Sequence, residues 1–215
     1  MSLVEPETRL DAGQLKAACE DQLIGNRIVV LDEAGSTNDV VAEMAGDNSE
    51  GLVVFAETQT AARGQYGRQW ESAAHKGLWL SILLRPNIAI SESAQLTDLL
   101  ARAAAATIKE QTGLACSIKP PNDVCVAGKK IAGVLVEMRV EGKGEYAAIA
   151  GIGLNVNQAR EDFSPEVRAS AGSLAMAAGE RVDRNALAIA LLRDVNSRYA
   201  AWPTRCGNPA TRAVS

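Results

Sequence analysis

Histidine is nearly absent from this chain: His75 is the only one in 215 residues. It sits in the polar stretch Ser72-Ala73-Ala74-His75-Lys76-Gly77, where a solvated loop residue is the expected reading. No nucleophilic triad can therefore be assembled, and no serine occupies a G-x-S-x-G elbow. The four cysteines (Cys19, Cys116, Cys125, Cys206) are scattered without C-x-x-C spacing. With one histidine, that pattern argues against a zinc site and lends little support to a disulfide framework; reduced thiols fit best. No run approaches the ~18 consecutive apolar residues of a membrane-crossing helix. The acidic start Met1-Ser2-Leu3-Val4-Glu5-Pro6-Glu7 is not followed by a charged-then-apolar signal segment, so a cytoplasmic protein is predicted. The net charge of −4 carries no long same-sign runs, which disfavours a general nucleic-acid or membrane surface but leaves room for a local basic pocket. Internal repeats and low-complexity tracts are also missing.

What is present suits one domain with a real core, given 47% hydrophobic and 22% charged residues. Leu15, Ala18, Cys19 and Leu23 fall at helical spacing within residues 9–24, and a strand follows at Arg27-Ile28-Val29-Val30-Leu31. Gly35-Ser36-Thr37-Asn38 reads as a turn whose Ser or Thr caps a helix through Val40, Val41 and Met44. Strands are expected at Leu52–Ala56 and at Leu78–Leu84, the latter apolar enough for burial on both faces. Ser93–Thr112 is the clearest helix, with Gly113 as its C-cap. A short strand into Lys119, a turn at Gly128 and the strand Ile131–Met138 come next. Glu141-Gly142-Lys143-Gly144 then turns the chain into a strand at Tyr146–Leu154, forming a hairpin. Asp183 caps a last helix carrying Leu187, Leu191, Val195 and Tyr199. Hairpin-like succession predicts an α+β protein with a mixed, largely antiparallel sheet and helices on one face. Gly151-Ile152-Gly153 does not fit a dinucleotide-binding fingerprint, since its third glycine is missing and strand continues beyond it.

Three segments carry candidate chemistry. Glu57-Thr58-Gln59-Thr60-Ala61-Ala62-Arg63-Gly64-Gln65-Tyr66-Gly67-Arg68-Gln69-Trp70 packs two arginines, two glycines and one tryptophan into eight residues after a strand. Glycine lets backbone N–H groups approach an anion, arginine grips phosphate with a planar fork, and the indole offers an apolar face. An ordinary basic surface loop is the alternative. Lys119 stands directly before Pro120-Pro121-Asn122-Asp123. The prolines fix the backbone, so this ammonium is either rigidly aimed for chemistry at phosphorus or is a surface lysine before a turn. Gly151 and Gly153 imply close approach to a strand, by a ligand or by a packed helix.

Together these segments resemble the catalytic domain of biotin protein ligases, within the biotin/lipoate ligase superfamily. The matching pieces run in family order: Ser36-Thr37-Asn38, the 57–70 loop, Lys119–Asp123, Lys130-Ile131-Ala132-Gly133-Val134-Leu135-Val136-Glu137, and Gly151-Ile152-Gly153-Leu154-Asn155-Val156. Ala171-Gly172-Ser173-Leu174 looks like a later family turn. The resemblance implies a class II aminoacyl-tRNA synthetase/biotin synthetase-like fold, with an N-terminal helical extension over 1–26, a catalytic domain over 27–202 and a disordered tail over 203–215. It implies ATP-dependent, Mg²⁺-assisted ligation of biotin through biotinyl-5′-AMP to a lysine of a biotin carboxyl carrier domain. Lys119 and Arg63 are then the catalytic groups. Ser36, Thr37, Asn38, Gln59, Arg63, Gly64, Gln65, Lys119 and Gly133 are expected on biotin, and Arg68, Trp70, Asn122, Lys130 and Asn155 on the nucleotide; no metal ligand is assigned.

Three positions depart from the family pattern. Ala62 replaces a glycine and Gln65 an arginine, which predicts a weaker grip on the acyl-adenylate; Pro120 replaces a tryptophan and removes an aromatic wall. No helix-turn-helix domain is recognised and little chain is left for a C-terminal β-barrel, so a non-repressor type without DNA binding is expected, as monomer or homodimer. A lipoate or octanoate ligase is the nearest alternative, although the loop lacks that group's Arg-Arg-x-Ser-Gly-Gly-Gly. A non-catalytic biotin or adenylate binder is the other.

Overall fold

A computed structural model describes residues 9–141 and 146–202. Seven strands form one sheet: β1 (Arg27–Ala34), β2 (Leu52–Gln59), β3 (Gly77–Leu84), β4 (Cys116–Lys119), β5 (Asp123–Val126), β6 (Lys129–Val140) and β7 (Tyr146–Asn155), in the spatial order β1-β2-β3-β7-β6-β5-β4. Only β1 and β2 pair in parallel; every other neighbour is antiparallel. This is the mixed α+β architecture the hairpin succession implies.

Side chains alternate across a strand, and that alternation divides the sheet into a core face and a site face. Val53 and Phe55 of β2, Leu80 and Ile82 of β3, Val134 of β6 and Ile152 of β7 point into the main core. There they meet α1 (Ala12–Ala18), α3 (Ser93–Thr112) and α5 (Arg184–Ala201), through residues such as Leu15, Leu100 and Leu191. The neighbouring positions in register face the other way: Ser81, Gly133, Leu135, Glu137, Gly151 and Gly153. The helix α2 (Thr37–Met44) packs on that second face, setting Val41 against Leu52, Val54, Leu83 and Ile149. Helices thus flank both faces, contrary to the one-sided arrangement expected. The reason is the parallel β1–β2 pair, whose connection must cross the sheet.

Helix α3 begins and ends where the sequence indicates, with Gly113 in the left-handed region at φ 71°. Asp183 caps α5 by accepting from Asn185 and Ala186 N–H groups. The first helix is shorter than residues 9–24, because Asp21 and Gly25 take positive φ and break it. Strand β5 was not expected: Asn122-Asp123 read as turn formers, yet Asp123 opens a strand paired with both β4 and β6. The five-residue helix α4 (Leu174–Ala178) was likewise unforeseen. Residues 9–26 share the main core through Leu10, Leu15, Cys19 and Ile24. Glu57 is fully buried; it accepts from Leu10 N (2.6 Å) and pairs with Arg184 (2.6 Å). His75 Nδ1 lies 3.2 Å from the same carboxylate, so the lone histidine packs beside the buried Glu57–Arg184 pair and is not a fully solvated loop residue. Residues 142–144 of the expected Glu141–Gly144 turn, the 203–215 tail with Cys206, and the N-terminal residues 1–8 lie outside the described residues. Among those described, no helix is long and apolar enough to cross a membrane.

Candidate functional site

The site face carries two paired glycines, Gly133 of β6 and Gly153 of β7. The indole of Trp70 lies flat on them. A Cβ added at Gly133 would sit 2.9 Å from Trp70 Cζ3, and one at Gly153 would sit 2.7 Å from Cε2. The close approach read at Gly151 and Gly153 therefore has two sources: the loop's Trp70 lies on Gly153, whereas Asn38 of helix α2 lies on Gly151. Trp79 meets Trp70 edge-on, with centroids 6.3 Å apart. Lys130 Nζ stands 5.1 Å above the Trp70 ring while pairing with Asp123 at 2.6 Å. Packed in this way, the first cavity retains about 40 Å³ of free space, little more than one water's share of liquid volume.

Hydrogen-bonding side chains fill the far end of this cavity. Thr37 N donates to Gln59 Oε1 (2.7 Å), and Gln59 Nε2 reaches Ser72 Oγ (3.4 Å). Ser81, fully buried in an otherwise apolar strand, donates to Asn38 Oδ1 (2.5 Å) and lies 2.7 Å from Thr37 Oγ1. Asn38 fills the space above Gly151, where a Cβ would meet its Oδ1 at 2.5 Å. Ser36 is the N-cap residue of α2 yet makes no side-chain capping bond, so its hydroxyl remains with the cavity instead of the helix end.

The loop from 62 to 70 folds back on itself. Trp70 N donates to Ala62 O, Gly64 N donates to Arg68 O, and Arg63 bridges Gln69. Tyr66 and Gly67 form its tip in the left-handed region, at φ 60° and 72°. Arg63, expected to grip phosphate, instead donates both Nη groups to Asp39 at 2.7 Å and approaches Glu137 at 3.4 Å. Its hydrogen bonds hold the Asp39 carboxyl below the usual carboxylate range and push the guanidinium pKa up.

A second cavity of about 500 Å³ opens beyond Trp70. Arg68, Lys119 and Lys130 supply its positive charge. Lys119 ends the edge strand β4 opposite Asp123. Asn155 stands at its back wall with its amide committed to Gly172 O and Gln158. Burial pushes the Cys125 thiol pKa up, against the lowering influence of Lys119 and Lys130.

Of the residues expected on biotin, Ser36, Thr37, Asn38, Gln59, Arg63, Gly64 and Gly133 line the first cavity, whereas Gln65 and Lys119 line the second. All five residues expected on the nucleotide line the second, and Trp70, Asn122 and Lys130 border both. Ser81, Asp39 and Glu137 were missed. Ser81 had a signal, a lone hydroxyl in a buried run that requires a partner. Glu137 had one too, since it shares Gly133's face by period two.

The fold agrees with what the chain is similar to. Residues 34–157 match the Biotin/lipoate A/B protein ligase family, and the chain belongs to that family. It is 36% identical over 208 residues to the bifunctional ligase/repressor BirA of Bacillus subtilis, covering 96% of this chain but 64% of that protein. Against the biotin--[acetyl-CoA-carboxylase] ligase of Mycobacterium tuberculosis it is 34% identical, across 90% of this chain and 73% of the relative. The biotin protein ligase of Aquifex aeolicus, solved with biotin and ATP, superposes with a TM-score of 0.69 at 30% identity, over 80% of this chain and 69% of that one.

Proposed function

We propose that this chain is a cytoplasmic ATP-dependent ligase that joins biotin to a lysine of a biotin carboxyl carrier domain through biotinyl-5′-AMP. The observation that carries the reading is the pair of contiguous cavities sharing Gly64, Trp70, Asn122 and Lys130. One end is lined by neutral hydrogen-bonding groups that suit a ureido ring. The other carries Arg68, Lys119 and Lys130, which suit a carboxylate and a triphosphate. The names of the relatives support the same reaction.

In the first step a biotin carboxylate oxygen attacks the α-phosphorus and the bond to pyrophosphate breaks. In the second, a carrier lysine amine attacks the acyl carbon, AMP leaves with the bonding pair, and the amine proton passes to solvent. Neither step needs a protein nucleophile, in keeping with the missing triad. Lys119 offsets charge at the carboxylate–phosphate junction in both. Arg63 holds the loop stem, because its guanidinium is committed to Asp39 and Glu137. Biotin is much larger than the first cavity's residual space, so its entry displaces Trp70. Among the described residues no group of three His, Cys, Asp or Glu forms a metal cage. Mg²⁺ would enter with ATP and offset charge on its phosphates.

The test is incubation with ATP, Mg²⁺, labelled biotin and a carrier domain, with lipoate and octanoate as competing acids. Labelled carrier and biotin-dependent pyrophosphate release are expected. Biotin binding without adenylate would instead make the chain a binder, and preference for lipoate would make it a lipoate ligase.

A further inference from the structure

One carboxylate outside the cavity lining connects both halves of its polar end. Glu137 sits on the site face of β6, four residues beyond Gly133 and paired with Ile149 of β7. A single oxygen, Oε2, accepts from Asn38 Nδ2 at 2.7 Å and lies 3.4 Å from Arg63 Nη2. Asn38 forms the cavity wall over Gly151, with its other amide atom on Ser81. Arg63 belongs to the stem whose far strand ends at Trp70. Glu137 thus joins β6, the first turn of α2 and the loop stem, and Asp39 closes the circuit with its two-pronged hold on the same guanidinium.

We propose that Glu137 is a positioning residue for the small-molecule end of the site, fixing Asn38 in the cavity wall and the 62–70 loop above it as one unit. The role at that end rests on the biotin-ligase reading; the hold on the loop does not. An exposed ion pair contributes little on its own, and at 3.4 Å the Glu137–Arg63 contact is the weaker link. The stronger one is the charge-assisted hydrogen bond to an asparagine that is 4% exposed. Its loss leaves a buried amide proton without a partner and frees the side chain to leave the wall. Asp39 meets Arg63 with both oxygens, and the Asn38 amide hydrogen goes to Glu137 instead. The two carboxylates therefore divide the work: Asp39 secures the loop alone, while Glu137 secures the loop and the wall.

Two readouts test this, one of which needs no ligand. In Glu137→Ala, trypsin cleavage after Arg63 and Arg68 is expected to accelerate several-fold while the melting temperature falls by no more than a few degrees. The KM for biotin is expected to rise about 10- to 100-fold, the scale of one charge-assisted hydrogen bond. The KM for ATP and kcat at saturating biotin are expected to stay within about threefold. Glu137→Gln keeps an oxygen for Asn38 and should recover most of the biotin KM; Asp39→Asn should loosen the loop with a smaller effect on that KM. A folded Glu137→Ala with wild-type biotin KM overturns the proposal. So does an equal rise in the KM of both substrates, or a melting temperature lowered further than that in Glu137→Gln and Glu137→Ala alike. Should the wild-type protein not consume biotin at all, the ligase reading falls. The trypsin comparison then decides alone: faster cleavage of Glu137→Ala upholds the hold on the loop, and an unchanged rate removes it.

Discussion

Replacing Gly153 by alanine separates a glycine kept for stability from one kept for a ligand. Gly153 lies in the extended backbone of β7, between Gly133 on one side and Trp79 on the other, so alanine is not strained by its φ. Losing glycine's extra freedom in the unfolded chain gains roughly 0.5–1 kcal/mol. Against that, the new methyl carbon would sit 2.7 Å from Trp70 Cε2 and 2.9 Å from Cζ2 and Nε1. The indole must withdraw by about 1 Å to restore a normal contact. It then gives up part of its cation–π contact with Lys130, worth about 0.5–1 kcal/mol at an exposed site, and of its edge contact with Trp79, worth a similar amount. Gain and loss nearly cancel, so urea unfolding should shift by no more than about 1 kcal/mol. Binding has no such offset, because the methyl group occupies the floor on which a flat ligand must lie. Overpacking of that kind costs about 1–3 kcal/mol, which weakens biotin binding roughly 5- to 150-fold. Calorimetric titration with biotin measures this, and the emission difference from a Trp70→Phe variant separates the signal of Trp70 from that of Trp79 and Trp202. Wild-type affinity in a folded Gly153→Ala protein would refute the placement of the ligand. Destabilisation beyond about 3 kcal/mol would show instead that the glycine serves packing.

Lys119→Ala should abolish adenylate formation and transfer without altering the melting curve, since Lys119 is exposed at the end of an edge strand; retained transfer to a carrier domain removes its assigned role. Arg184→Ala strips the partner from the fully buried Glu57 and should cost about 3–5 kcal/mol in urea unfolding, whereas wild-type stability would mean that the buried carboxylate is satisfied without it. The Asp39 carboxyl is held below its ordinary value of 3.8 by its hydrogen bonds to Arg63. A depressed folded pKa gives a contribution fully present above that ordinary value and lost as pH falls through the folded one. The loop latch should therefore be constant from neutrality down to about pH 5 and release only in stronger acid; Trp70 emission followed against pH in wild type and Asp39→Asn checks it, and a release near neutrality would contradict the pairing.

Legibility in the sequence followed length and periodicity. Helix α3 was readable because twenty residues of 3.6-periodic pattern end on a glycine that can adopt φ 71°. Strand β5 was not, because four residues between a Pro-Pro turn and Gly128 carry too little alternation to outweigh two turn formers. The short helix α4 failed for the same reason. The ordered motifs named residues that the fold gathers around two adjoining cavities, but what each side chain contacts was not readable. Arg63 looked like a phosphate ligand because nothing local to the loop shows that Asp39, twenty-four residues earlier, and Glu137, seventy-four later, take up its guanidinium. Such pairings are set by the register of β6 and the placement of α2, both products of the assembled sheet.

The engagement of Arg63 also redistributes charge along the site. With Asp39 and Glu137 around it, the inner end presents no uncompensated cation, and its remaining groups are amides and hydroxyls. Positive charge is concentrated at the outer end, on Arg68, Lys119 and Lys130, where Asp123 pairs with Lys130. A ligand with a neutral, hydrogen-bonding head and an anionic tail is oriented by that gradient before any covalent step: reversed, it would set a carboxylate beside Glu137 and Asp39, and like charges at such range are costly. The two arginines of the loop thus have separate tasks despite lying five residues apart. Arg63 ties the stem to Asp39 and Glu137, and Arg68, past the left-handed tip at Tyr66 and Gly67, places its charge on the second cavity. That division also explains how the loop can tolerate Gln65. The stem is held by carboxylates on α2 and β6, so its attachment does not depend on an arginine at position 65; on the proposed reading that position bears on how long the acyl-adenylate is retained.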